Sequence, residues 1–191
     1  MTRSTLRLVI AALLVAGLQT GVLGYMIASR AAILRSGAEV LLKTAPVDPR
    51  DLLRGDYVIL SYDISSVPGE SLVGPRPALS GWQVLSVRLK KQPDGFWGIS
   101  ESSYTDLPPS PGSVVLKSTP FYYYASPDDS QPVRVDYGIE RYYVPEGEGR
   151  VLEQAEGTEA LSVAIRVSSS GVGQIRSLLL NGKPAYEEPL Y

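Results

Sequence analysis

Two hydrophobic patterns divide the chain. From Leu8 to Ala28 no charged residue interrupts the sequence. At about 1.5 Å of rise per residue, a helix of that length spans the hydrocarbon core of a bilayer. This predicts a membrane helix over about 8–28 inside an N-terminal anchor, residues 1–36, with Ala31, Ala32, Ile33 and Leu34 prolonging it until Ser36-Gly37 ends it. From Glu39 onward short apolar runs are separated by Gly, Pro, Asp and Ser, the pattern of a β-rich domain. That domain is placed at 37–185, with 186–191 as a tail. Strands are expected at Val40–Ala45, Tyr57–Ile64, Trp82–Lys90, Phe96–Tyr104, Val114–Thr119, Val133–Tyr143, Leu161–Val167 and Gln174–Leu180. Gln92-Pro93-Asp94-Gly95 and Ser168-Ser169-Ser170-Gly171 read as turns, and Asn181-Gly182 as the close of the last regular element. One or two helical turns are expected between Glu148 and Gln154. The fold class is mainly β: one transmembrane helix, then an antiparallel β-sandwich or partly open barrel.

Within this pattern the stretch Val47–Ile64 is the most sharply defined. Asp48 suits a helix N-cap, Pro49 the first helical position, and Gly55 a left-handed C-terminal stop, so a single helical turn feeds a strand. From Tyr57 the period is two, with Val58, Leu60, Tyr62 and Ile64 on one face and Tyr57, Ile59, Ser61 and Asp63 on the other. Leu161, Val163, Ile165 and Val167 alternate in the same way with Ser162, Ala164, Arg166 and Ser168, which predicts a half-buried strand.

Gly55-Asp56-Tyr57 followed by Leu60 and Tyr62 resembles the motif for which the GDYXXLXY family of bacterial proteins is named. Pro46-Val47-Asp48-Pro49-Arg50-Asp51 ahead of it, and Tyr137-Gly138-Ile139-Glu140-Arg141-Tyr142-Tyr143-Val144-Pro145-Glu146-Gly147 downstream, are similar to that family as well. The resemblance implies a membrane-anchored bacterial protein of unknown biochemical function, often encoded near multi-spanning membrane proteins. It carries over no catalytic or binding residue. The motif positions are read chiefly as structural: Gly55 for backbone freedom, Asp56 for bonding loop amides, Leu60 and Tyr62 for a packed face.

Composition narrows the chemistry. The chain has 18 Lys and Arg against 20 Asp and Glu, so no global field recruits nucleic acid. With no Cys and no His, thiol chemistry, zinc-thiolate and iron–sulfur sites and imidazole catalysis are excluded. Asp48, Asp51 and Asp56 supply hard oxygen ligands, but Arg50 and Arg54 are interleaved with them, and helix capping with local ion pairs is the preferred reading. No metal and no cofactor is expected. A hydrolase similar to bacterial signal peptidases needs a serine activated by a lysine, and in that family the serine precedes a methionine. Met1 and Met26 are the only methionines, and neither follows a serine.

Tyrosine stands out, with 12 against 2 Phe and 2 Trp. Phe121, Tyr122, Tyr123 and Tyr124 form the densest run and a candidate interface, set against the alternative that alternate tyrosines on a strand are simply core and cross-strand pairs. Gly17 and Gly21 have the spacing that lets two membrane helices approach closely, although glycine is common in such helices anyway. A cleaved signal peptide, with Ser29-Arg30-Ala31 as its processing site, is disfavoured because its apolar region runs to about 7–15 residues. Arg3 and Arg7 before the helix balance Arg30, Arg35 and Lys43 after it, so the charges leave orientation open. The resemblance places the domain outside the cytoplasm, in the inner membrane. The expected function is a membrane-anchored, non-catalytic binding or assembly subunit whose partners are the bilayer and another membrane protein. An envelope module for a glycan or lipid is the alternative.

Overall fold

The computed structural model describes residues 3–45, 57–125, 131–143 and 161–189. It opens with α1 (Arg3–Ser36), followed by β1 (Ala38–Ala45), β2 (Tyr57–Ile59), β3 (Ser61–Tyr62), β4 (Ser66–Val67), β5 (Gly81–Gln83), β6 (Ser86–Lys91) and β7 (Trp97–Ser103). After these come β8 (Ser113–Lys117), β9 (Phe121–Tyr123), β10 (Val133–Arg134), β11 (Arg141–Tyr143), β12 (Leu161–Val167), β13 (Gly173–Leu180) and β14 (Lys183–Glu187). A five-stranded sheet in the order β14-β13-β12-β1-β3 and a three-stranded sheet β7-β6-β8 share one core, and three two-stranded ribbons, β10–β4, β11–β2 and β5–β9, complete it. Among the described residues, every pairing between these strands is antiparallel. The protein is thus mainly β behind one long helix.

That helix is long and apolar enough over Arg7–Ser36 to cross a membrane, with mean hydropathy 1.9. Its large apolar side chains from Leu8 to Ile27 are exposed. The last two turns behave differently. Ala31 and Leu34 are buried, and this end of α1 packs on β12 and β13. The Gly37 amide then donates to the Ile33 carbonyl at 2.8 Å and ends the helix where Ser36-Gly37 was expected to. The end of the prolonged helix therefore docks on the domain. The reading of β12 as half-buried is corrected too: Ser162 and Ala164 are buried along with Leu161 and Val163. Ala164 lies opposite Ser177 in the ladder, and two small side chains give a shallow face that a helix can approach.

Two ties between the sheets define the ends of the domain. At the helix end Ala38 pairs with Val167, and the turn that follows receives the Lys117 amide on the Gly171 carbonyl at 2.8 Å. At the opposite end the Lys43 ammonium meets Asp94 at 2.7 Å and lies 5.1 Å from the centre of the Phe96 ring.

Several expected strands are broken, each for a visible reason. Tyr57–Ile64 changes partner at Leu60, from β11 to β1, and its last residues wind into a 3₁₀ turn at Asp63–Ser65. Trp82–Lys90 divides after Gln83, because the Leu85 amide donates to the Ser118 hydroxyl (2.9 Å) instead of to a ladder carbonyl. Asn181 and Gly182, at φ 51° and 76°, form a primed hairpin turn instead of closing the fold. The chain returns as β14, and Tyr186 packs on the core, so strand pairing runs past residue 185. The helical turns expected at Glu148–Gln154 lie outside the described residues.

Candidate functional site

The two sequence blocks singled out above, separated by some 75 residues of chain, are brought side by side. β2 and β11 pair with Tyr57 opposite Tyr143, Val58 opposite Tyr142 and Ile59 opposite Arg141. The Leu60 amide continues the contact to the Glu140 carbonyl at 2.8 Å. Beyond it two tyrosines cross-latch the segments: the Tyr62 hydroxyl donates to the Ile139 carbonyl at 2.6 Å, and the Tyr137 hydroxyl to the Ile64 carbonyl at 2.7 Å. Both rings are buried, as are Leu60, Ile64 and Ile139, while Ile59 and Asp63 are exposed, so the period-two reading of Tyr57–Ile64 holds for its described side chains.

Between the latches the downstream block leaves the extended conformation, which is why Val133–Tyr143 is not one strand. Gly138 has φ +78°, a left-handed conformation that costs other residues energy. The Glu140 carboxylate accepts the amides of Tyr137 (2.5 Å) and Gly138 (2.8 Å), satisfying donors that would otherwise have joined a ladder. Glu140 thus holds a loop, and the adjacent Arg141 lies exposed across the ribbon from Ile59.

Burial holds Tyr137 and Tyr142 in their neutral form. It pushes the Tyr137 hydroxyl well above its ordinary value, with Glu140 adding to the effect. Tyr142 is pushed up to about 12, by burial first and then by Glu188 and Tyr186. Unfolded tyrosine ionises near pH 10. Below that pH both states are protonated and stability is level; above it the unfolded chain loses protons that the fold retains, and stability falls. Melting temperature is therefore expected to be flat with respect to these groups below about pH 10 and to drop toward pH 12, with a shallower alkaline limb in Tyr137→Phe. Parallel limbs in the two proteins would refute the assignment.

The tyrosine run divides by face. Tyr123 is buried and sits 5.2 Å from Tyr104, and Phe121 is half-buried, whereas Tyr122 and Tyr124 are exposed. Opposite Tyr122 in the β5–β9 ribbon stands Trp82, with ring centres 5.9 Å apart and edge to face, and Tyr122 meets Tyr124 at 4.9 Å. Trp82 was not singled out from the sequence, because only the long-range register aligns it with the tyrosines. Gly17 and Gly21 lie on the exposed stretch of α1, with open space where a Cβ would stand. Asp48, Pro49, Arg50, Gly55, Asp56, Pro145 and Glu146 lie outside the described residues.

A shallow cleft of about 300 Å³ opens at the end far from the helix junction, lined among others by Lys43, Asp63, Asp94, Phe96 and Trp97. The Lys43 side chain and the Phe96 amide hold the Asp94 carboxyl below its usual range. Among the described residues, no group of three or more carboxylates is placed to hold a metal ion.

The profile of the GDYXXLXY protein family matches residues 19–178. The chain belongs to the GDYXXLXY family. The match begins within α1 and ends in β13, so the GDYXXLXY unit takes in part of the helix together with the β domain, and it contains both latched blocks. No curated protein and no solved structure matches the chain.

Proposed function

We propose that this GDYXXLXY protein is a single-pass protein of the bacterial inner membrane whose β domain lies outside the cytoplasm. There it serves as a non-catalytic binding or assembly subunit beside another membrane protein. The observation that carries this reading is the fate of the motif side chains. The hydroxyls of Tyr62 and Tyr137 and the carboxylate of Glu140 are committed to main-chain groups of the same ribbon. They make a stiff two-stranded support, and its outer side presents Ile59, Arg141 and Tyr143, the last 72% exposed. Aromatic and arginine side chains on a rigid backbone are the residue types that anchor protein interfaces. The exposed apolar length of α1 keeps the domain at a membrane, where a partner in the same bilayer is concentrated around it.

Purification of the full-length chain from native membranes is expected to recover a membrane protein in stoichiometric amount. Recovery should fall by about tenfold or more when Arg141→Glu and Tyr143→Ser are combined. Equal recovery by wild type and variant would remove the ribbon from the contact, and no recovered partner would remove the subunit reading. A second reading, a module for a glycan, is favoured by the cleft, where Phe96 and Trp97 stand beside Lys43 and Asp63. Titration with neutral oligosaccharides, followed by Trp97 fluorescence, tests it.

A further inference from the structure

The apolar surface of the β domain is unevenly distributed. Nine large apolar side chains of its described residues are exposed, and two of them, Ile59 and Tyr143, belong to the motif ribbon. The other seven fall in three places: four between Val73 and Val84, Tyr122 and Tyr124 in and after β9, and Val172 in the turn between β12 and β13.

All three places lie at the helix end. Val172 follows Gly171, whose carbonyl takes the Lys117 amide, next to the Ala38–Val167 pair that receives the chain from α1. The β6–β8 ladder reaches this end at the Ser86–Lys117 pair, and beyond it the same two chain segments pair again as β5 and β9. The ribbon carrying Trp82, Tyr122 and Tyr124 is therefore an extension of the sheet past the end at which the helix joins. Val73 is fixed there too, since its amide donates to the carbonyl of Ser102, which lies opposite Val87. Trp82 is 71% exposed, Tyr124 76% and Leu79 81%. At the far end the β6–β7 turn exposes Lys90, Lys91 and Asp94, the β13–β14 turn exposes Asn181 and Lys183, and the motif strand is joined there through the Ala45–Ser61 pair.

We infer that the helix end of the domain rests on the bilayer itself, with Trp82, Tyr122, Tyr124 and Leu79 seated among the lipid headgroups as a second membrane contact beside α1. This rests on the reading of α1 as a membrane anchor. Trp and Tyr carry an apolar body and a polar tip, which suits the boundary between hydrocarbon and water, and they concentrate there in membrane proteins. A domain joined to its anchor through Gly37 alone would swing freely. The packing of Ala31 and Leu34 on β12 and β13 and a lipid-seated aromatic ribbon together fix its tilt. The far end, where the motif strand joins β1 through the Ala45–Ser61 pair, then keeps a fixed orientation toward the aqueous phase.

Trp82 makes the contact measurable, because Trp97 is the chain's other tryptophan and belongs to the far end of the β6–β7 hairpin, opposite Lys91. The full-length chain is reconstituted into vesicles of phosphatidylcholine and phosphatidylglycerol whose acyl chains carry bromine near the glycerol end. Wild type and Trp82→Phe, a substitution at an exposed site that keeps an aromatic ring, are compared after flotation. The expected result is that bromolipid quenches wild-type emission relative to unbrominated vesicles and that Trp82→Phe loses this quenching, leaving unquenched Trp97 emission. If both proteins float with the vesicles and emission is the same in brominated and plain lipid, the inference is overturned while the anchor stands. It is equally overturned if Trp82 becomes shielded only when a co-purified membrane protein is added back, which would assign the ribbon to a protein partner. If neither protein floats, the anchor reading itself fails, and the inference with it.

Discussion

Glu101→Ala is expected to destabilise the domain by about 2–4 kcal/mol, because it strands a buried guanidinium. Arg88 sits in the middle of β6 with only 3% of its surface exposed. Its Nε donates to Glu101, directly opposite on β7, while Nη1 reaches the Ser113 hydroxyl at 3.0 Å and Nη2 the Pro108 carbonyl at 2.6 Å. The two neutral acceptors cannot balance the charge. Taking the carboxylate away leaves an arginine that neither loses its proton nor reaches water easily. Glu101 keeps about a third of its side chain in solvent (34%), which screens the pair and holds the estimate below the full cost of a wholly buried one. Replacing both partners, Arg88→Met with Glu101→Leu, should recover most of the loss, since apolar groups of similar volume dispense with the desolvated charge. Urea midpoints of full-length protein in nanodiscs measure this; a single variant as stable as wild type, or a double variant no better than the single one, contradicts it.

The second large effect belongs to the motif. Leu60→Ala should cost about 3 kcal/mol, within the range for deleting a fully buried leucine. Leu60 is 1% exposed and marks the point where the strand passes from one partner to another, so neighbours on both sides are held by pairing and cannot collapse into the space. Tyr62→Phe should cost less, about 1–2 kcal/mol, because it leaves the ring and removes one hydroxyl from the buried Ile139 carbonyl. The same urea midpoints read both, and the ranking is itself the test. A Tyr62→Phe loss equal to that of Leu60→Ala would mean that the latch, more than the packing, holds the blocks together.

Alternation made much of this visible from residues alone. The buried face of Leu60, Tyr62 and Ile64, the burial of Leu85, Val87 and Leu89, and the turns at Gln92–Gly95 and Ser168–Gly171 follow from period two and turn chemistry. What alternation hides is any site where a side chain takes over a main-chain bond. Ser118 replaces a ladder carbonyl at Leu85, and Glu140 caps two amides beside Gly138, so each long run is cut at a place without a local apolar signal. Arg88 is hidden differently: a charged residue between Val87 and Leu89 reads as outward-facing until Glu101, Ser113 and Pro108 are brought to it from elsewhere in the chain. The motif positions were legible as a family resemblance, but the contact of Tyr62 with Ile139, and of Tyr137 with Ile64, needs the downstream block brought beside them from some 75 residues away. The aromatic ribbon was half legible, since Tyr122 and Tyr124 belong to an evident cluster and Trp82 joins it only through register.

The position of β1 has a consequence for how the molecule is made. It is the first strand after the helix, yet one of its neighbours is β12, so that Val40 waits for Ile165. On the proposed anchoring, α1 holds β1 beside the bilayer while most of the chain is still being synthesised. Throughout that interval its backbone donors and acceptors on that side have no native partner, the condition under which strands associate wrongly. Chains cut short before Leu161 lack the strand that pairs with β1 and should be cleared by quality-control proteases instead of accumulating. Closure of this sheet is thus late, because it waits for the chain to reach β12.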